Sequence, residues 1–222
     1  MTAKLKDHPD MAYYLRDLRF TYLERSAGGS KAIRSHMKKA RDALGKAIGG
    51  DPEILPENPE RMPVCRHFSR AVDRGVPGPG ENMLRALQRF EPRLRWGYGY
   101  ERLPERLKNT YAFAEIMGPH GPVSAEGVTA GVVLLAPNST YPSHSHHDIT
   151  ESYFVLSGAL SQNDAGVYVP GSLIYNPPGH SHRLTTDRLE PCLLSYVWIG
   201  PPEALANQKM RFDAKGRVTG DK

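Results

Sequence analysis

From about Thr110 to Ile199 the chain breaks into short apolar or alternating runs separated by Gly, Pro, Asn and Asp. That texture marks an all-β sandwich or barrel. The runs cover residues 111–117, 128–135, 151–156, 166–169, 172–175 and 192–199, and turns fit between them at Pro137-Asn138, 161–164, 177–179 and Pro201-Pro202. Small barrels of this kind can enclose a ligand cavity.

The first half follows a different period. Ser30 reads as an N-cap, and Ile33, Met37, Ala40, Leu44 and Ile48 then form an apolar stripe that stops at Gly49-Gly50. Residues 9–24 place Met11, Leu15, Leu18 and Tyr22 on one face, and 64–72 and 81–90 read as shorter helices. Proline-rich and glycine-rich loops at 51–63 and 75–80 separate them. The expected organisation is an α-helical region over 1–108, a barrel over 109–206 and a polar tail over 207–222. The helical region carries no catalytic motif, and its expected work is packing with lid or homodimer contacts.

Charge divides along the same line. Residues 1–118 carry 22 Lys and Arg against 15 Asp and Glu, a balance of +7, whereas 119–222 carry 7 against 9, a balance of −2. The basic residues alternate with acids on helical stretches, which describes solvated helix faces and argues against nucleic acid. The longest apolar run, 128–136, is too short to span a bilayer, and the first ten residues hold lysines without an apolar stretch behind them. Cys65 and Cys192 stand far apart and outside any C-x-x-C spacing, so neither a disulfide framework nor a zinc finger is indicated. These features predict a cytoplasmic protein with neither membrane nor nucleic-acid partners.

Five of the nine histidines fall between positions 144 and 182. In a strand, His144 and His146 share a face because side chains alternate with period two. Glu151 and Tyr153 form a second same-face pair, and a hairpin between the two segments brings the carboxylate to the imidazoles. The segment 171–182 offers a further imidazole near its end, at His180 or His182. Three neutral nitrogens and one carboxylate suit one divalent transition ion such as Zn, Fe, Mn, Co, Ni or Cu, and do not suit calcium.

Two motifs then resemble the cupin superfamily. The first is a glycine, five residues, H-x-H, three or four residues, Glu, six residues and Gly. Residues His144 to Gly158 match it, with Asn138 where the opening glycine stands. The second is Gly, five residues, P-x-G, two residues and His; residues Gly171 to His182 match it, with Thr186 in place of its usual final asparagine. The resemblance implies a mainly β protein, a double-stranded β-helix (jelly-roll) barrel with an N-terminal α-helical extension. It also implies His144, His146, Glu151 and His182 as metal ligands. His147 faces away from those positions in a regular strand, and His180 reads as an exposed or loop histidine.

The wider pattern Tyr141-x-x-His144-x-His146-x4-Glu151-x-Tyr153, with helices before it, is similar to the cupin-type dimethylsulfoniopropionate (DMSP) lyases, and most to their L type. The likeness is strongest from about 114 to 199; other members have three residues between the second histidine and the glutamate where this chain has four. The family implies a carbon–sulfur lyase that cleaves DMSP to dimethyl sulfide and acrylate by β-elimination. Tyr153 is the expected base, since a nearby cation favours a phenolate whose unperturbed pKa is about 10. Tyr141 is the second candidate, or an orienting hydroxyl. Tyr196 and Trp198, on one face of the last clear strand, would offer aromatic surface to the sulfonium. The same metal constellation also suits a dioxygenase acting on another small acid or thiol, or a non-catalytic cupin that binds a small ligand.

Overall fold

The computed structural model describes residues 2–24, 29–100 and 103–208, with the backbone of 211–212. Most of the expected tail therefore lies outside the described residues. Four helices come first: α1 (Pro9–Glu24), α2 (Lys31–Gly49), α3 (Phe68–Gly75) and α4 (Glu81–Phe90). Then follow β1 (Trp96–Gly97), the short α5 (Glu105–Lys108), β2 (Tyr111–Gly118), β3 (Val123–Ser124), β4 (Val128–Leu135), β5 (Thr140–Ser145) and β6 (Thr150–Ser157). The chain continues through β7 (Leu160–Gln162), β8 (Val167–Tyr168), β9 (Leu173–Asn176), β10 (His182–Thr186), β11 (Cys192–Ile199), α6 (Pro202–Ala206) and β12 (Arg211–Phe212).

The helices form where capping and periodicity place them. Ser30 Oγ accepts the Ile33 backbone N–H at 3.3 Å and starts α2. Met37, Ala40 and Leu44 are buried along its stripe, and Met11, Leu15, Leu18 and Tyr22 of α1 are buried likewise. One expected helix is displaced. Residues 63–67 form a 3₁₀ turn, closed by the Cys65 N–H on the Met62 carbonyl, and α geometry begins only at Phe68.

The described strands make two sheets that face each other as the double-stranded β-helix barrel. The larger runs β1-β2-β4-β11-β6-β9, with β3 added parallel to β2; the smaller runs β12-β5-β10-β7-β8. The larger sheet is covered on both faces. Ala114, Val132, Leu134, Phe154 and Val197 pack outward against the helices, while Tyr111, Val133, Val155, Leu194 and Tyr196 point into the barrel. This double burial explains why 128–135 reads as a continuous apolar run and not as an alternation: every residue of β4 is buried.

Two corrections arise in the smaller sheet. The expected turn over 161–164 is narrower, because Leu160 and Gln162 turn inward as part of β7 and only Asn163 and Asp164 take positive φ. The strands β5 and β10 have little apolar content and were not among the expected runs. Gly158, which closes the first motif, has φ +75°, and a Cβ there would stand 2.2 Å from the Pro191 carbonyl oxygen.

Helices and barrel are also joined by buried polar contacts. Tyr14 Oη donates to Ser195 Oγ at 2.9 Å, and Tyr22 Oη and His36 Nε2 lie 2.7 and 2.8 Å from Ser152 Oγ. Burial, aided by Lys39, lowers the His36 imidazole from its ordinary 6.5 to about 4. Tyr22 and Tyr175 pack against its ring. An unfolded chain takes up this proton below pH 6.5 while the folded one does not, so stability falls as pH drops from about 6.5 to about 4. The contribution is about 3 kcal/mol. Urea melts of wild type and His36→Gln across that window are expected to differ in pH slope, wild type losing stability faster.

Candidate metal centre

His144 on β5 and His182 at the start of β10 are direct cross-strand partners. His146 sits one residue beyond β5, and Glu151 is the second residue of β6. One ligand atom from each of the four lies within 4.8 Å of the others, and all four side chains are buried. The expected hairpin between these two segments is not formed, because β5 and β6 belong to opposite sheets; the β5–β10 register joins His144 to His182, and the short connection 146–149 crosses between the sheets and brings Glu151 to the imidazoles.

Backbone carbonyls aim two of the rings. His144 Nδ1 is 3.0 Å from the Pro142 carbonyl and His182 Nδ1 is 3.1 Å from that of His180. With Nδ1–H donating outward, Nε2 of each ring faces the centre. His144 Nε2 and His146 Nε2 are buried without a hydrogen-bond partner. Buried polar nitrogens seldom stay unpaired, and their convergence beside a carboxylate fits a cation. Burial, together with His182 and His146, holds His144 well below the ordinary imidazole range, in the neutral form a metal needs.

Glu151 is held from both sides. Its Oε1 accepts the Trp198 indole N–H at 2.8 Å, and its Oε2 accepts Asn176 Nδ2–H at 3.0 Å. Asn176 is oriented in turn by Gln162, whose amide donates to its Oδ1 at 2.8 Å. Trp198 and Asn176 are the register partners of Glu151 on β11 and β9, so the sheet places both donors. Burial alone would raise the carboxyl; His146 and His182, with Nε2 atoms 3.5 and 2.9 Å from its oxygens, bring it well below the carboxylate range.

A narrow cavity of about 10 Å³, about the room of one water, lies beside the cluster, lined by His144, Glu151 and an aromatic wall that includes Tyr111, Tyr141, Tyr153 and Tyr196. The family model for dimethylsulfoniopropionate lyase matches residues 36–194. The chain belongs to the DMSP lyase family. A Cereibacter sphaeroides protein assigned as dimethylsulfoniopropionate lyase DddL is 46% identical over 217 residues, covering 97% of this chain and 94% of its own. A chain from crystal structures of the DMSP lyases RdDddP and RnDddQII superposes with a TM-score of 0.65 at 20% identity, over 92% of this chain and 98% of that one. The DMSP lyase DddQ from Ruegeria pomeroyi gives 0.58 at 21% identity, over 73% and 92%. At such identities the structural likeness speaks to the fold.

Around the cluster of three histidines and a glutamate the phenols differ in setting. Tyr153 follows Glu151 by two residues on the same face, and burial followed by the Glu151 charge pushes its pKa well up. Tyr141 stacks on Tyr111 at 4.2 Å, meets the edge of His144 at 4.4 Å, and has its Oη 2.5 Å from that of Tyr100. Burial, then Tyr111 and Tyr100, raise it as well. Tyr196 Oη is buried without a hydrogen-bond partner. Its ring fits because residue 131 is glycine, where a Cβ would stand 2.7 Å from the ring and 2.2 Å from the Ala114 carbonyl oxygen.

Trp198 makes contacts beyond those the sequence indicated. Its face lies 4.8 Å from the His146 ring and its N–H is engaged by Glu151, so it buttresses two members of the cluster as well as lining the cavity. His147 and His180 are exposed. Tyr111, Tyr100, Asn176 and Gln162 escaped the sequence reading. Asn176 and Gln162 each carried a signal, a polar side chain at an inward alternate position of a strand. Tyr111 read only as an apolar strand residue, and Tyr100 as packing.

Isothermal titration of metal-free protein with Co(II) or Zn(II) is expected to give one ion per chain. His144→Ala is expected to weaken that binding severely, and Asn176→Leu by roughly tenfold to a hundredfold, the usual effect of losing an outer partner.

Proposed function

We propose that this DMSP lyase family member cleaves dimethylsulfoniopropionate by metal-dependent β-elimination, with His144, His146, Glu151 and His182 as ligands and Tyr153 as base. The observation that carries the proposal is the buried convergence of three imidazoles and a carboxylate with a phenol on the same strand face as that carboxylate. The family match supplies the substrate class. A zinc, iron, manganese, cobalt or nickel ion held by these ligands would supply Lewis acidity, polarising the substrate carboxylate and favouring a neighbouring phenolate.

The remaining roles fall to the chain. Tyr153 Oη takes the proton from the carbon next to the substrate carboxylate. The electron pair of that C–H bond becomes the new C=C bond, the C–S bond breaks, and its pair leaves with sulfur. Neutral dimethyl sulfide and acrylate result, the proton resting on Tyr153. Because the leaving group departs without charge, no acid is needed to assist it.

Tyr141 orients the substrate with a hydroxyl that Tyr100 holds in place. Tyr196 and the cavity-lining part of the Trp198 ring face the sulfonium, a cation without N–H donors that is best met by π-faces. Burial of the whole constellation keeps water from competing for these contacts. Among the described residues no helix is long and apolar enough to cross a membrane, which agrees with our placing of the reaction in the cytoplasm.

Purified metal-loaded protein supplied with DMSP is expected to release dimethyl sulfide, read by gas chromatography of the headspace; folded, loaded protein that releases none would overturn the proposal. Tyr153→Phe is expected to retain the metal and lose roughly a hundredfold to ten-thousandfold in kcat. Near-normal turnover in that variant would move the base to another residue.

A further inference from the structure

Polar side chains from separate elements meet at one atom on the back of the larger sheet. Ser152 Oγ is 2.7 Å from Tyr22 Oη on α1, 2.8 Å from His36 Nε2 on α2 and 3.4 Å from the Val197 carbonyl on β11. A hydroxyl has one proton and two acceptor sites. With its proton given to Val197, Ser152 accepts O–H from Tyr22 and N–H from His36, and all three side chains are satisfied while almost fully buried.

The position of this junction carries the argument. Ser152 lies between Glu151 and Tyr153 on β6. Its register partner Val197 lies between Tyr196 and Trp198 on β11, and its other partner, Tyr175, lies beside Asn176 on β9. The His36 ring packs on Tyr175 at 5.1 Å, so the junction spans all three strands. One residue along, on the cavity side, runs the row Trp198, Glu151 and Asn176, whose hydrogen bonds fix the carboxylate. Apolar residues at all three positions would fill the space behind β6 with no polar group to satisfy. A three-way polar junction, in contrast, has to strip water from three groups and gives direction in exchange.

We propose that Tyr22, His36 and Ser152 are positioning residues for the reaction. They set β6 against β11 and β9, and through the backbone they aim the Glu151 carboxylate and the Tyr153 phenol. The N-terminal helices thereby have a role in the chemistry that their lack of a catalytic motif concealed. This inference rests on the reading of Glu151 as ligand and Tyr153 as base.

The test uses the full chain loaded with Co(II), whose visible spectrum reports ligand geometry apart from turnover. Ser152→Ala, Tyr22→Phe and His36→Leu are expected to shift the Co(II) bands, weaken Co(II) binding and lower kcat by roughly tenfold to a hundredfold, with KM changed less than about threefold. His36→Gln, which keeps a donor at the same reach, is expected to recover most of the loss. Leu44→Ala supplies the control: it loosens α2 away from the junction and is expected to lower Tm while leaving spectrum and kcat unchanged. If a variant fails to fold, Tyr22→Phe, which removes a single oxygen, decides the matter. Junction variants with wild-type spectra and kcat, or a Leu44→Ala protein with the same losses, would overturn the inference alone. A wild-type protein that binds no Co(II) or releases no dimethyl sulfide would overturn the reading beneath it and this one together.

Discussion

Everything around the cavity answers to one electrostatic demand: Glu151 carries a carboxylate in a barrel interior where solvent does not reach it. An unpaired charge in that setting costs several kcal/mol even after relaxation. Two neutral donors, the Trp198 indole and the Asn176 amide, each take one oxygen, and two imidazole nitrogens stand within 3.5 Å. None of these partners is a neighbour in sequence. Trp198 and Asn176 are delivered by pairing of β6 with its flanking strands and the imidazoles by the facing sheet, so the charge is tolerable only when both sheets have closed in one register. A slip of one residue would turn Glu151 to the apolar helix-facing side.

The larger sheet meets that requirement by being buried on both faces. Its outward residues join the helices in one apolar core, and its inward residues form a second around the cavity. Such a sheet cannot shift without disturbing two cores at once. The smaller sheet carries more polar strands, yet it supplies three of the four converging groups or their close neighbours: His144, His146 and His182. The larger sheet thus combines the two cores with Glu151 and Tyr153, and the facing sheet brings the imidazoles to that carboxylate.

How much of this could be read from the sequence depended on whether a feature is local. The bounds of α1, α4, β4 and β11 were recovered because capping, periodicity and continuous apolar runs are written in consecutive residues. The four converging residues were legible because H-x-H and the two glycine-framed motifs fix their spacing. In contrast, β5 and β10 have little apolar content and did not stand out as apolar runs, so only the H-x-H spacing pointed to a strand there. The Gln162–Asn176–Glu151 chain, the stacking of Tyr111 on Tyr141 and the meeting of Tyr22 and His36 at Ser152 all join residues far apart in the chain. They depend on register, which a single sequence does not state. The tryptophan shows the same limit: its sharing of a face with Tyr196 was readable, whereas the direction of its N–H was not.

Gly131 shows how a residue without a side chain can shape a pocket. The Tyr196 ring occupies the space that any larger residue at 131 would need, and the neighbouring backbone closes off the other direction. Protein engineers seeking to reshape this wall will find position 131 closed to substitution, since even one methyl group would press on the ring and on the Ala114 carbonyl at once. Enlargement has to begin elsewhere, because the strand pairing leaves no room at 131.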